Sequence, residues 1–385
     1  MHNTYKDNIY IYIMDTFPKS FEELTVEFLN KALHSKLPEI KSFTKSTDGI
    51  PQGFTGDVFR INITYKTPTQ PNSPYPSTLI LKFATTNPGI NALLTDIKGY
   101  LREITLYPIL NAHPQLHTPI LYASNISSTN STFIMILEDL QNKQLHRGNH
   151  EVPLDFALAT RIVDYFAYMN AIFWNCHLHD NFKQYLSIGN NDFPVYMQNL
   201  TRNMYTKRLD AFIERNKTKL NPQILDTLRT LDVEKLYTLT KPNADYTNIK
   251  NITLVHGDPQ PSNLMYNDST LTMIDWAYTG IGKGCKDVIL FLGICSDSTT
   301  MSKQQFEELK QRYYTQLIAN GVNAEAYTQE EFNEDWKNML YISMANIIST
   351  SPEENIGDDE EKRKAYQRYL DYCETRFIYF ITCFI

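Results

Sequence analysis

Apolar and polar residues alternate most clearly in "DVFRINITY" (57–65), where Val58, Phe59, Ile61, Ile63 and Tyr65 are set among polar side chains. That spacing predicts a half-buried strand, and "TLILKF" (78–83) is a second β-rich run. Between them "KTPTQPNSPYPS" carries four prolines, which forbid regular pairing and predict an exposed hairpin loop. Ahead of these strands, "PKSFEELTVEFLNKALHSKL" (18–37) predicts a helix with Ser20 as N-cap and Glu23 completing a capping box. Residues 91–107 place Leu93, Ile97, Leu101 and Ile104 at helical spacing, and Pro108 should end or kink that helix. "PILYAS" (119–124) and "TFIMILEDL" (132–140) read as further strands. The first 138 residues therefore predict a small, mostly antiparallel sheet with one helix inserted after the third long strand.

Beyond "LEDL" the period changes to that of helices. In "VPLDFALATRIVDYFAYMNAIFW" (152–174), Pro153 suits a first helical turn, and Ala159, Ile162, Val163, Phe166, Asn170 and Phe173 form a core stripe. Asn170 on that stripe needs a hydrogen-bond partner in the core. Residues 195–232 also favour helix. The tail from 359 sets Tyr366, Leu370, Cys373, Phe377 and Phe380 on one face, and its acidic start suits the positive end of a helix dipole.

The chain has 385 residues, 42% of them apolar, enough for a substantial core in two or three domains or one bilobal unit. Its net charge of −7 is spread without a basic stripe, so no nucleic-acid footprint is expected. The five cysteines are odd in number and form no CxxC pair, which fits reduced, packed thiols rather than a disulfide framework or zinc site. "IYIYIM" near the start is too short for a signal peptide, and "FIYFITCFI" at the end is too short to span a bilayer. A cytoplasmic protein with no membrane partner is the expectation.

The chemistry concentrates in "LVHGDPQPSNLMYNDSTLTMIDW" (254–276). One reading is two strands joined by a polar turn. The other is a catalytic loop holding Asp258 and Asn263, then a strand pair that delivers Asp275. Phosphoryl transfer needs one carboxylate to orient and deprotonate the acceptor hydroxyl, and hard oxygen ligands to hold Mg²⁺ against nucleotide phosphates. Asp258 suits the first role; Asn263 and Asp275 suit the second.

"VHGDPQPSNLM…MIDW" resembles the motif H-x-D-x-x-x-x-N followed by I-D-[FW] of aminoglycoside phosphotransferases, choline kinases and the ecdysteroid kinase-like group. The resemblance covers about residues 45–300 and implies an α+β, bilobal protein-kinase-like fold. In it, an antiparallel-sheet N-terminal lobe with one key helix (1–138) would bind the nucleotide. A larger, mainly helical lobe (139–385) would bind the acceptor and carry the catalytic loop. The resemblance further implies ATP and Mg²⁺ as the nucleotide and metal. Lys82 in "LILKF" sits where the family carries its phosphate-contacting lysine, and Glu103 in "LREITLY" where the pairing helix glutamate lies. The separation of 21 residues allows a strand-to-helix salt bridge. "DGIPQGFTGDVFRI" occupies the nucleotide-loop position, where Gly53 and Gly56, with Gly49, would bring N–H groups near phosphate. An ordinary glycine turn explains that stretch as well. Asp287, in the family's G-x-x-x-D-[LV] segment, would brace the catalytic loop, and His256 would support it. His177 and His179, with no third ligand nearby in sequence, read as surface or helix-end histidines. Where related chains commonly read L-H-A, this one has Met169-Asn170-Ala171.

Only eleven residues separate Asp275 from Asp287, and no protein-kinase activation segment ending in A-P-E follows. That favours a small-molecule hydroxyl as acceptor. The proline loop, "LREITLYPIL" and the catalytic stretch look most like the ecdysteroid kinase-like group, which implies a bulky, sterol-like or other metabolite alcohol. A cationic acceptor of the choline or aminoglycoside type is the alternative and predicts a pocket rich in carboxylates; "EENIGDDEE" is the only dense acidic run. A nucleotide-binding pseudokinase would have lost Lys82, Asp258, Asn263 or Asp275, and all four are present. A protein-modifying atypical kinase is the remaining reading.

Overall fold

In the computed structural model of the protein, residues 12–13, 16–47, 55–67, 73–189, 193–240, 250–350 and 360–385 are described. The chain divides into two compact units. The smaller takes residues 1–146, 181–191 and 265–277, and the larger takes 147–180, 192–264 and 278–385.

The smaller unit is built on a six-stranded sheet: β1 (Tyr12–Ile13), β2 (Ile40–Lys45), β3 (Gly56–Tyr65), β4 (Thr78–Ala84), β5 (Leu121–Ile126) and β6 (Phe133–Glu138), in the order β1-β5-β6-β4-β3-β2. β1 pairs parallel to β5, and every other pair is antiparallel. The two alternating runs become β3 and β4, in a register that sets Val58 opposite Lys82. Lys82 is therefore delivered from the middle of the sheet. Leu79, Leu81, Phe83, Ile61 and Ile136 are all buried in the core beneath it.

Three helices are described in this part of the chain: α1 (Val26–Leu33), α2 (Pro88–Asp96) and α3 (Gly99–Asn111). The first starts later than expected. Ser20 caps only a short 3-10 turn without a side-chain bond, and Thr25 is the residue whose hydroxyl receives the Phe28 N–H, at 3.1 Å. Its competing turn is closed by the Lys19 N–H donating to Glu23 at 2.9 Å. The single helix expected over 91–107 is broken in two at Lys98, which adopts a left-handed conformation (φ 54°). Gly99 follows because a Cβ there would stand 2.8 Å from the Ala277 carbonyl oxygen. Pro108 does not end α3. It lies in the last turns, removing one N–H while the helix closes around it at Asn111. A four-residue helix, α5 (Lys183–Leu186), and the hairpin strands β9 (Leu264–Tyr266) and β10 (Leu271–Met273) complete this unit.

A two-residue strand, β7 (His146–Arg147), lies where the chain passes into the larger unit. There the helices are α4 (Phe156–Ile172), α6 (Phe193–Asn216), α7 (Pro222–Thr230), α8 (Val233–Thr240), α9 (Cys285–Cys295), α10 (Lys303–Ala319), α11 (Gln329–Ser349) and α12 (Glu360–Thr382). A short antiparallel pair, β8 (Thr253–Val255) with β11 (Gly280–Gly282), is set among them. The expected stripe of α4 is buried throughout. So are Cys373, Phe377 and Phe380 of α12, and all five cysteines.

Asn170 has the partners its burial demands. Its Nδ2 donates to the Leu254 carbonyl at 3.0 Å, its Oδ1 accepts from the Tyr313 hydroxyl at 2.8 Å, and its own carbonyl accepts from Thr253 at 2.9 Å. Helix α4 thus holds β8, the strand that runs into His256. No helix among the described residues is long and apolar enough to cross a membrane. Replacing Asn170 by Leu would orphan a buried carbonyl and a buried hydroxyl together. We expect the Asn170→Leu chain to lose about 2–4 kcal/mol of stability in urea unfolding; a loss under about 0.5 kcal/mol would contradict this bracing role.

Candidate active site

In the smaller unit, Lys82 sits between two carboxylates. Its Nζ donates to Glu103 Oε1 and Oε2 at 2.9 and 2.8 Å, and to Asp275 Oδ1 at 2.8 Å. Strand β4 supplies the lysine, α3 the glutamate, and the turn after β10 the aspartate. Glu103, which lies off the apolar stripe of its helix, is wholly buried. Burial alone would drive the Lys82 ammonium toward neutrality, but Asp275 and Glu103 more than reverse this and hold it above the usual lysine range. Burial pushes the Glu103 carboxyl up against the pull of Lys82, and the like charge of Asp275 adds to the rise by repulsion.

Asp275 itself has a left-handed backbone (φ 65°), a conformation aspartate tolerates better than bulkier residues. The Trp276 indole closes this turn by donating to the Met273 carbonyl at 3.2 Å, and the Trp276 N–H donates to Glu103 at 3.3 Å. Thr55 was not singled out from the sequence. Its hydroxyl lies 2.8 and 2.6 Å from the two Asp275 oxygens as a donor. No side-chain spacing announces that contact, since the two residues lie far apart in sequence.

Gly56 opens β3 beside the lysine. A Cβ there would stand 2.6 Å from the Phe83 carbonyl oxygen and 2.9 Å from Lys82 Cε, so the glycine makes room for the lysine stem. Gly49 and Gly53 lie outside the described residues.

In the larger unit, Asp258 and Asn263 belong to one compact loop. Asn263 Nδ2 donates at 3.0 Å to both the backbone oxygen and Oδ2 of Asp258. With its amide hydrogens directed there, Asn263 is left with Oδ1, a hard oxygen of the type Mg²⁺ takes. The carboxylate of Asp275 offers the same chemistry in the other unit. Each residue, taken by itself, thus presents an oxygen of the kind Mg²⁺ takes. Gln260, inside the motif but not singled out, donates its Nε2 to Asp258 Oδ2 at 2.6 Å.

Asp287, near the start of α9, braces this loop from below: its carboxylate accepts the His256 N–H at 2.6 Å and the Gly257 N–H at 3.2 Å. His256 is fully buried, and its Nδ1 lies 3.3 Å from the Asp258 N–H as acceptor. Gly257 has φ 84°, and a Cβ would collide with the Tyr278 carbonyl oxygen at 1.9 Å. Only glycine fits between the brace and that carbonyl. His177 and His179 lie at a short 3-10 turn (Cys176–Leu178), His179 exposed.

The sequence of residues 51–325 matches the ecdysteroid kinase-like family. The chain belongs to that family. As an ecdysteroid kinase-like protein it is a kinase-type phosphotransferase acting on an alcohol group, with the α+β protein-kinase-like fold. No curated protein matches its sequence. Among solved structures, choline kinase from Cryptosporidium parvum is 12% identical with a TM-score of 0.47, covering 93% of this chain and 94% of that one. An ethanolamine kinase from Plasmodium vivax is 14% identical with a TM-score of 0.46, covering 95% and 90%. A spectinomycin phosphotransferase solved with ADP and spectinomycin is 11% identical with a TM-score of 0.46, covering 90% and 94%.

The Asp287 brace carries a pH signature. Burial raises its carboxyl from 3.8 to about 6, and the His256 and Gly257 N–H groups limit the rise. The folded value exceeds the unfolded one, so stability is highest with the proton bound and falls as pH rises from about 4 through 6. The uncharged amide introduced by Asp287→Asn would not share that loss. The destabilisation caused by Asp287→Asn should thus be smaller at pH 7.5 than at pH 5, by about 1 kcal/mol in urea unfolding. An equal or larger cost at pH 7.5 would refute the raised carboxyl.

Proposed function

We propose that this ecdysteroid kinase-like protein transfers the γ-phosphoryl group of ATP to the hydroxyl of a small metabolite or sterol-like alcohol, in the cytoplasm. Residues 1–138 hold the nucleotide, and 139–385 hold the acceptor and the catalytic loop. Asp258 is the catalytic base. Its carboxylate orients the acceptor hydroxyl and takes its proton as the oxygen attacks the γ-phosphorus and the bond to the ADP leaving oxygen breaks. Lys82, kept in place by Glu103, neutralises phosphate charge. Asn263 and Asp275 are the residues that would hold Mg²⁺, which when bound supplies further charge neutralisation to the phosphates. Gly53 and Gly56 belong to the stretch that would cover them.

The observation that carries this reading is the fixing of Asp258. Two amide side chains, from Asn263 and Gln260, both donate to its Oδ2, and the loop beneath is held by a buried carboxylate. A group merely closing a turn would not need its side chain oriented twice. A bulky, weakly charged alcohol is favoured over a cationic acceptor by three carboxylates of the larger unit that already have partners, Asp287 and Glu374 buried and Asp335 half-buried. Asp335 is paired with Lys283 at 2.8 Å, Glu374 with Arg215 at 2.6 Å, and Asp287 with backbone N–H groups.

The test is untargeted mass spectrometry of a metabolite extract incubated with Mg-ATP and either the parent chain or Asp258→Ala. A metabolite that gains one phosphoryl group only with the parent is the expected result. Asp258→Ala should abolish transfer and spare nucleotide binding, whereas Asp275→Ala should weaken Mg²⁺-dependent nucleotide binding. Near-normal turnover by Asp258→Ala would overturn the assignment of the base.

A further inference from the structure

The Asp287 brace holds one end of the catalytic loop, at His256 and Gly257. The other end has a grip of its own. There the 3-10 turn Pro261–Asn263 closes on itself: the Asn263 N–H donates to the Gln260 carbonyl at 2.9 Å, and the Leu264 N–H donates to the Pro261 carbonyl. Pro261 has no N–H, and the amides of Asn263 and Leu264 are spent inside the turn, which leaves mainly carbonyls for an outside grip. Arg147 of β7 and the glycine after it meet three of those carbonyls. Arg147 Nε donates to the Ser262 carbonyl, and the Gly148 N–H donates to the Leu264 carbonyl at 2.9 Å. A Cβ on Gly148 would stand 2.3 Å from the Pro261 carbonyl oxygen, so the two backbones are in direct contact. The segment that follows is anchored in turn. The Leu154 N–H donates to the Cys295 carbonyl at 2.8 Å, and buried Arg376 of α12 donates from Nη1 to the His150 carbonyl at 2.7 Å.

We propose that Arg147 is a positioning residue for phosphoryl transfer: with Gly148 it fixes the Pro261–Asn263 turn, and through that turn it sets Asn263 against Asp258. The inference rests on the kinase reading above for the roles of Asp258 and Asn263. It adds that their mutual placement is imposed from outside the motif. Asn263 Nδ2 reaches the backbone oxygen and Oδ2 of Asp258 at 3.0 Å each, so both contacts move whenever the turn that carries Asn263 moves. A shift of about 1 Å in a reacting group can cost about a hundredfold in rate. The grip on Ser262 is made by Nε, the stem nitrogen of the guanidinium. It therefore depends on an N–H at a set reach along the side chain, more than on the outer nitrogens or the charge.

The test uses the full-length chain and two substitutions matched in reach. Arg147→Gln places an amide N–H where Nε lies, and Arg147→Met places a methyl group there. Residue-resolved hydrogen exchange without nucleotide is the first readout. Arg147→Met should speed exchange of the Asn263 and Leu264 amides about tenfold, the worth of one lost hydrogen bond. The His256 and Gly257 amides, held by Asp287, should stay within about twofold of the parent. Gly148→Ala, which pushes on the same turn through its Cβ, should give the same pattern. The second readout is the rate at which a metabolite extract with Mg-ATP gains phosphoryl groups. Arg147→Met should slow it about tenfold or more, and Arg147→Gln should restore it to within about threefold of the parent. Equal acceleration of all four amides would mark a general loss of stability and overturn the proposal. An Arg147→Gln chain as impaired as Arg147→Met would overturn it too, as would a loosened turn with an unchanged rate. Absence of transfer by the parent chain would instead remove the kinase reading, and the exchange pattern would still decide whether Arg147 holds the turn.

Discussion

A lysine ammonium buried among carboxylates organises the smaller unit. Taking a charge out of water costs several kcal/mol per ion, and the cost is met only when partners are close and well aligned. Lys82 meets that condition with Glu103 and Asp275, each at 2.8 Å. The partners come from a helix and from the turn after a hairpin, so the charge cannot be satisfied unless β4, α3 and β10 take up their mutual positions. Close local features accompany it in the same unit: a left-handed Lys98 just before α3, the close approach of Gly99 to the Ala277 carbonyl, and the missing side chain of Gly56 beside the lysine stem.

The larger unit solves the opposite problem, a buried negative charge, with dipoles instead of a cation. Asp287 takes two backbone N–H bonds, and those bonds hold its carboxyl only partly against the cost of burial. The loop it supports is then shaped by steric exclusion as much as by hydrogen bonds, since Gly257 is the one residue that can pass the Tyr278 carbonyl. Asn170 shows how such a scaffold is braced by a buried amide. Its amide donates to Leu254 and accepts from Tyr313, so β8 is supported.

Much of this was legible from residues alone because the informative signals are local. Strand alternation located β3 and β4, and helical spacing located α4 and its buried asparagine. The motif drew attention to Asp258, Asn263 and Asp275, whose roles rest on the resemblance and on the chemistry of their donors. The helix starts were less legible. Ser20 and Thr25 both offer capping hydroxyls, and the choice between them falls on tertiary packing of Leu29 and Leu33, which no spacing reveals. The continuity of the helix over 91–107 failed for a related reason. A left-handed Lys98 costs roughly 1–2 kcal/mol and is not announced by its residue type, and the carbonyl that crowds the next position, that of Ala277, lies far along the chain.

Contacts made between distant segments left no sequence trace. Thr55 reaches Asp275 across 220 positions, and Phe193 meets Tyr278 ring to ring beside Gly257, which neither residue flanks in sequence. Both contacts attach to residues that the motif does mark, Asp275 and the Gly257–Asp258 pair. A short motif can specify the reacting groups because their spacing is dictated by one turn of backbone. The groups that surround them come from whatever elements the fold brings alongside, and those elements are free to change residue type so long as volume and polarity are kept. The surroundings of the loop are therefore written where sequence patterns are least informative, and they are read from which side chains pack against it.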